Sequence, residues 1–294
     1  MGSLRAGIPV VSAALLSAAA LALPAGASSP AAWQYGAIGE TAVPSSVLAA
    51  AASVKLAVID TGANTALPAL ASRAATTYNV RTHTRNVGDS NGHGTLVASL
   101  AAEASGDARL LIIKAASPSG AITDSLEAAA IRYAVDHGAR IVNLSIGGSH
   151  TSSTERAAVQ YADSRGVLIV APSGNGYGDA PEYPAALLGN AGLAVAATDE
   201  AGARAAFSNR GPWISVAAPG VRLFAGSLGY ASGTSFAAPL AAGAAALVWG
   251  VNPALTARQV VRIIESTASG RGARTDELGY GVIDVAAAVA AARS

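Results

Sequence analysis

Two textures of hydrophobic and polar residues alternate along this chain. Short stretches at 54–59, 110–115, 139–146, 167–171 and 193–197 are dense in Val, Ile, Leu and Ala. They predict strands buried on both faces, with a further short strand at 221–225. Helical stretches separate them. Asp124-Ser-Leu-Glu127 reads as a capping box opening a helix that runs to His137 and stops at Gly138. A helical segment starts at His93, residues 154–165 have helical character up to Gly166, and helices at 235–249, 256–268 and 284–292 close the chain. Strands interleaved with helices predict an α/β fold: a doubly wound, mostly parallel sheet with helices on both faces and right-handed crossovers. In such sheets ligands collect at the carboxyl ends of the strands, where Asp60 and the segment 173–176 fall.

Length and composition narrow the classes. The chain has 294 residues, 51% of them hydrophobic, enough for one large domain with a buried core. Its formal net charge is +1 with no long run of one sign, so neither nucleic acid nor an anionic membrane is indicated as a partner. There is no cysteine, which excludes disulfides, thiolate metal sites and a thiol nucleophile, and does not argue against export. The start of the chain reads as an export signal. Arg5 supplies the positive region, residues 8–23 the apolar region, and Ala25-Gly-Ala27 the cleavage pattern. Three parts are expected: a signal peptide at 1–27, a segment at 28–53 without clear periodicity, and the main domain at 54–294. No other stretch reads as membrane-spanning, and the mature protein is expected outside the cell.

Candidate chemistry centres on Gly233-Thr-Ser-Phe-Ala-Ala-Pro239. Gly233 allows a tight turn, Ser235 falls at a helix start, and Pro239 reads as part of the first helical turn. Free N–H groups and the helix dipole there would stabilise negative charge on a substrate oxygen. A lone serine in this setting is more often a helix N-cap than a nucleophile, so catalysis requires a base, an orienting acid and an oxyanion donor elsewhere. Asp60 ends the first strand, His93 lies in Asn91-Gly-His-Gly-Thr95, and Asn175 lies in Pro172-Ser-Gly-Asn-Gly176. His83 and His150 fall in polar loops and His137 at a helix end, so they do not compete as the base. A serine esterase of the α/β-hydrolase type would place Ser before the acid and His, in Gly-x-Ser-x-Gly; here Ser235 comes last, in Ser-Gly-Thr-Ser-Phe.

With the order Asp, His, Asn, Ser inside these motifs, the sequence resembles the subtilisin-like serine proteases, or subtilases. The resemblance covers nearly everything after about Trp33, including Phe207-Ser-Asn-Arg-Gly-Pro212, Ala218-Pro-Gly220 and Gly279-Tyr-Gly-Val-Ile-Asp284. It implies a secreted serine endopeptidase acting on protein or peptide substrates. Ser235 would be the nucleophile, His93 the base, Asp60 the orienting acid and Asn175 the oxyanion donor. A silent fold that only binds peptides is the competing reading, against which the complete set of four residues argues. Gly120-Ala121-Ile122 and Ser145-Ile146-Gly147 resemble the strands that pair with an extended substrate. Matching Tyr183-Pro184 to the family's Tyr-Pro places Glu182 at the floor of the primary specificity pocket, implying a preference for a basic residue before the scissile bond.

The family's calcium loop after the histidine helix has no counterpart in the short stretch 103–108, so no metal or other cofactor is expected. Only a weak cation site involving Asp199 is suggested by the resemblance. A monomer is expected. The segment 28–53 leaves no room for the folded pro-domain of many relatives, and Leu96 and Leu240 stand where the family often has His.

Overall fold

The structure, a computed structural model, describes residues 32–293, and the export signal expected at 1–27 lies outside them. Ahead of the first strand come α1 (Trp33–Ala37) and α2 (Ser45–Ala50). Their Tyr35 and Val47, with Ile38, are buried in the main core. The segment is tied down by backbone as well: Val285 N–H donates to the Ile38 carbonyl at 2.7 Å, and Asp107 N–H to Leu48 at 2.9 Å.

From there strands and helices alternate. They run β1 (Lys55–Asp60), α3 (Pro68–Ala71), β2 (Ala74–Asn79), α4 (His93–Ala104), β3 (Arg109–Lys114), α5 (Asp124–Asp136), β4 (Ile141–Leu144), α6 (Ser153–Ser164), β5 (Leu168–Pro172), β6 (Gly192–Thr198) and β7 (Val216–Pro219). A small hairpin follows, β8 (Leu223–Phe224) and β9 (Tyr230–Ala231), then α7 (Thr234–Val251), α8 (Ala257–Thr267) and α9 (Val285–Ala292). The main sheet has seven strands in the order β2-β3-β1-β4-β5-β6-β7, every neighbouring pair parallel. Because successive side chains point to opposite faces, β1 serves two cores. Leu56 and Val58 pack with Val97 and Leu100 of α4 and Leu240 and Leu247 of α7. Ala57 and Ile59 pack with Ile131 of α5 and Val159 of α6. The expected doubly wound α/β fold is therefore present. The strand order departs in both directions from β1, which puts the carboxyl end of β1, and Asp60, at the switch point.

Several local expectations are corrected. The strand expected at 221–225 is outside the main sheet: β8 pairs antiparallel with β9. The strand expected at 139–146 is shorter: it spans only β4, and Ser145 lies just beyond its end. Residues 124–127 do not form a capping box. Thr123 is the N-cap, its hydroxyl accepting from Leu126 N–H at 3.3 Å, and Glu127 is buried one position beyond the capping-box place. Pro239 lies in the second turn of α7, not the first. Finally, α7 is itself long and apolar enough to span a membrane; its burial beneath the sheet accounts for that composition.

Candidate active site

Asp60 is 1% exposed at the end of β1, and one of its oxygens, Oδ1, lies 2.8 Å from His93 Nδ1. The same oxygen accepts from Thr61 N–H at 2.7 Å. A carboxylate can only accept here, so His93 carries its proton on Nδ1 and leaves Nε2 as a base. The approach depends on Gly94, the second residue of α4. A Cβ there would lie 2.2 Å from the Gly62 carbonyl oxygen and 2.9 Å from Asp60 Cβ, so any other side chain would push α4 off β1. Burial by itself would lower the pKa of His93; the charge and hydrogen bond of Asp60, with the charge of Asp89, outweigh it and raise the pKa above the ordinary histidine value.

Asp89 went unread in the sequence. Its Oδ1 accepts from Thr61 Oγ1, Asn91 N–H and Gly92 N–H, and its Oδ2 from Thr95 N–H and Thr95 Oγ1, all within 3.1 Å. Thr61 Oγ1 in turn accepts from Gly94 N–H at 3.0 Å. One carboxylate thus clamps the first turn of α4 to the end of β1. Burial works against its ionisation, but these hydrogen bonds win and hold its pKa below the usual aspartate value. Lys114 Nζ caps the same junction, donating to the carbonyls of Thr61 and Gly88. The available signal was Asp89-Ser-Asn-Gly92, a turn sequence directly ahead of a helix.

Ser235 sits in the first turn of α7, after Gly233 as N-cap. Pro239 has no N–H to give to the Ser235 carbonyl, and Ser145 Oγ donates to that carbonyl instead, at 2.9 Å. Ser145 Oγ accepts from Asn143 Nδ2 at 2.8 Å. So a residue expected to contact substrate through its backbone also uses its side chain to hold the serine turn. The Phe236 ring packs 5.1 Å from the His93 ring, bringing the start of α7 against the imidazole. Among the described residues no hydrogen bond joins Ser235 Oγ to His93; in free enzymes such contacts commonly tighten only when substrate binds.

Asn175 follows β5 on the loop beside this turn. Its Oδ1 accepts from Thr234 N–H and Thr234 Oγ1, each at 3.0 Å. That fixes which end of the amide is oxygen and leaves Nδ2 turned toward Gly233 as a donor. The set brings together a hydroxyl, an imidazole with a free Nε2 and an amide N–H donor.

The remaining expected residues fall around it. Among the described residues nothing hydrogen-bonds the backbone of Ile146 or Gly147, whereas Gly148 and Tyr183 exchange two backbone bonds, at 2.8 and 3.0 Å. Glu182 lies beside this strand: a Cβ on Gly147 would be 3.1 Å from Glu182 Oε1, and one on Gly174 3.0 Å from Glu182 Oε2. Ala121 does not offer a pairing edge. Its carbonyl accepts from Ser117 N–H at 2.8 Å and its N–H donates to Ser117 Oγ at 3.1 Å, closing a turn inside which Gly120 N–H donates to the Ser117 carbonyl at 2.9 Å; Ile122 follows it. The Ile122 side chain is buried.

In the turn after α4 the acids have protein partners. Glu103 accepts from Tyr35 Oη at 2.5 Å, and Asp107 pairs with Arg73 at 3.2 Å. Asp199 Oδ1 accepts from Ala201 N–H and Ala203 N–H of its own turn, each at 3.0 Å.

Comparison with known proteins agrees with this fold. The chain matches the model of the subtilase family over residues 51–281. It is 33% identical to thermitase of Thermoactinomyces vulgaris over 75% of this chain and 83% of that one. It is 43% identical to the halolysin-like extracellular serine protease Nep of Natrialba magadii, over 58% of this chain but only 31% of that longer protein. Among solved structures, a protease of Pseudoalteromonas arctica superposes with a TM-score of 0.78 at 26% identity, covering 89% of this chain and 97% of that one. The fold and these relatives define a serine peptidase. The chain belongs to the subtilase family.

Proposed function

We propose that this protein is a secreted endopeptidase in which Ser235 attacks the peptide carbonyl and His93 takes its proton. Asp60 holds the imidazole and stabilises its charged form, and Asn175 Nδ2 together with the Ser235 N–H receives the oxyanion. The observation that carries this reading is the Asp60–His93 bond at the switch point, packed through Phe236 against the helix start to which Asn175 is anchored. Ser145, Ile146 and Gly147 form one edge for an extended substrate, with Gly120 and Ile122 opposite. The enzyme works as a monomer on proteins or peptides, without metal or cofactor. Digestion of an unfolded protein, with the products mapped by mass spectrometry, tests the activity: internal cleavage sites are expected, and none with active-site-intact protein would refute it.

The pH dependence follows from His93, whose neutral form is the base. With its pKa raised, the acid limb of kcat/KM lies above the ordinary value of about 6.5. Asp89 contributes to that rise, so removing its charge makes the imidazolium less favourable. Asp89→Asn is expected to move the limb to lower pH, whatever it does to the height of the profile. An unchanged or upward-shifted limb contradicts this.

Glu182 supports a preference for Arg or Lys immediately before the scissile bond. Its carboxylate borders both Gly147 and Gly174, the latter next to Asn175 in the chain, and a substrate cation would meet it there. Glu182→Ala is expected to lower kcat/KM for an Arg substrate by about tenfold or more relative to Phe and Leu analogues. A wild type that favours Phe or Leu, or an unchanged ranking in the variant, rules Glu182 out as selector.

A further inference from the structure

The segment Phe207-Ser-Asn-Arg-Gly-Pro212 lies between β6 and β7. Its Asn209 is 2% exposed and grips both neighbours of Asn175. The backbone N–H of Asn209 donates to the Gly174 carbonyl at 2.9 Å, and its Oδ1 accepts from Gly176 N–H at 2.7 Å. Its Nδ2 donates to the Ala180 carbonyl at 3.1 Å, on the segment that leads to Glu182. The contact is close enough to dictate the sequence around Asn175. A Cβ on Gly174, where φ is +101°, would lie 2.5 Å from Asn209 Nδ2, and one on Gly176 would lie 3.0 Å from Asn209 Oδ1. Ser208 anchors the grip to the sheet, its Oγ accepting from Ala197 N–H of β6 at 3.1 Å.

We propose that Asn209 is a positioning residue of the oxyanion hole. It fixes the 174–176 loop so that Asn175, with Oδ1 on Thr234, aims Nδ2 at the place where the oxyanion develops. The physical need is geometric: a donor displaced by about 1 Å loses much of its effect on the transition state, while ground-state binding along the substrate edges is little changed. The proposal rests on Asn175 being the oxyanion donor, and its test separates the two.

The test is a double-mutant cycle in the full chain with Asn209→Ala, Asn175→Ala and both, measuring kcat and KM on a peptide substrate at titrated active-site concentration, alongside melting temperature. Asn209→Ala alone is expected to lower kcat by up to about 100-fold with little change in KM. In the Asn175→Ala background the same change is expected to lower kcat by less than about threefold, because the group it positions is gone. An equal fold-loss of kcat in both backgrounds would overturn the proposal and leave Asn209 a purely structural residue. If Asn175→Ala alone left kcat unchanged, the oxyanion reading would fail first, and the proposal with it. Should Asn209→Ala not fold, Asn209→Ser, with a hydroxyl and room for a water at Gly176 N–H, goes through the same cycle with the same two outcomes.

Discussion

Ser235→Ala is expected to lower kcat for a peptide substrate by about a million-fold, the loss that the corresponding change causes in subtilisin. His93→Ala should cost about as much, since an unassisted hydroxyl is a poor nucleophile at neutral pH. Asp60→Asn keeps the shape of the buried side chain, but its amide can donate to Nδ1 and so stabilises the tautomer with hydrogen on Nε2. That tautomer cannot accept the Ser235 proton, and a loss of about ten-thousand-fold is expected. Because the three act as a unit, Ser235→Ala/His93→Ala should be little worse than Ser235→Ala alone. Unchanged melting temperatures would show that the fold survives, and a double mutant with multiplied losses would contradict a shared mechanism.

The second large effect belongs to Asn175. Asn175→Ala is expected to lower kcat by about 100- to 1,000-fold, equivalent to about 2.7–4 kcal/mol of transition-state stabilisation, the subtilisin figure for such a donor. KM should change little, since the developing oxyanion is absent from the bound substrate. Asn175 also anchors Thr234, so alanine removes two functions at once. Asn175→Asp separates them: the carboxylate still accepts from Thr234 but cannot donate to an oxyanion. The aspartate variant is expected to be as impaired as the alanine one. Wild-type kcat in Asn175→Asp would mean that the anchor, not the donor, is what matters.

The elements that carry the chemistry were legible because they are buried on both faces or carry strong punctuation. The apolar run ending in Asp60, the glycine-flanked His93 and the turn before Ser235 each announce themselves locally. Elements without such signals were missed. The edge strand β2 is half-exposed and rich in Thr and Ala, and β7 is only Val216-Ala-Ala-Pro219, a composition that fits a loop as well as a strand. Pro239 was placed a turn too early because sequence shows a missing N–H but not that Ser145, just after β4, would satisfy the freed carbonyl. The supporting residues were harder still. Asn209 acts through a hydrogen bond to Gly176, 33 positions distant, and Asp89 reaches Thr61, 28 positions distant, although its other bonds, to Asn91, Gly92 and Thr95, are local; no local pattern encodes the distant partners. Ala121 was missed for a local reason: Ser117, four residues earlier, turns its backbone back by a hydroxyl that spacing alone does not assign.

Labelling by a fluorophosphonate probe tests the catalytic serine most directly. The probe bonds covalently to a serine only when a neighbouring base activates it, so it reports the assembled site and needs no knowledge of the natural substrate. The purified wild type is expected to be labelled on the peptide containing Ser235, with labelling lost in Ser235→Ala and strongly reduced in His93→Ala. A folded wild type that resists the probe, or a Ser235→Ala variant that is labelled as well as the wild type, would contradict Ser235 as the activated nucleophile.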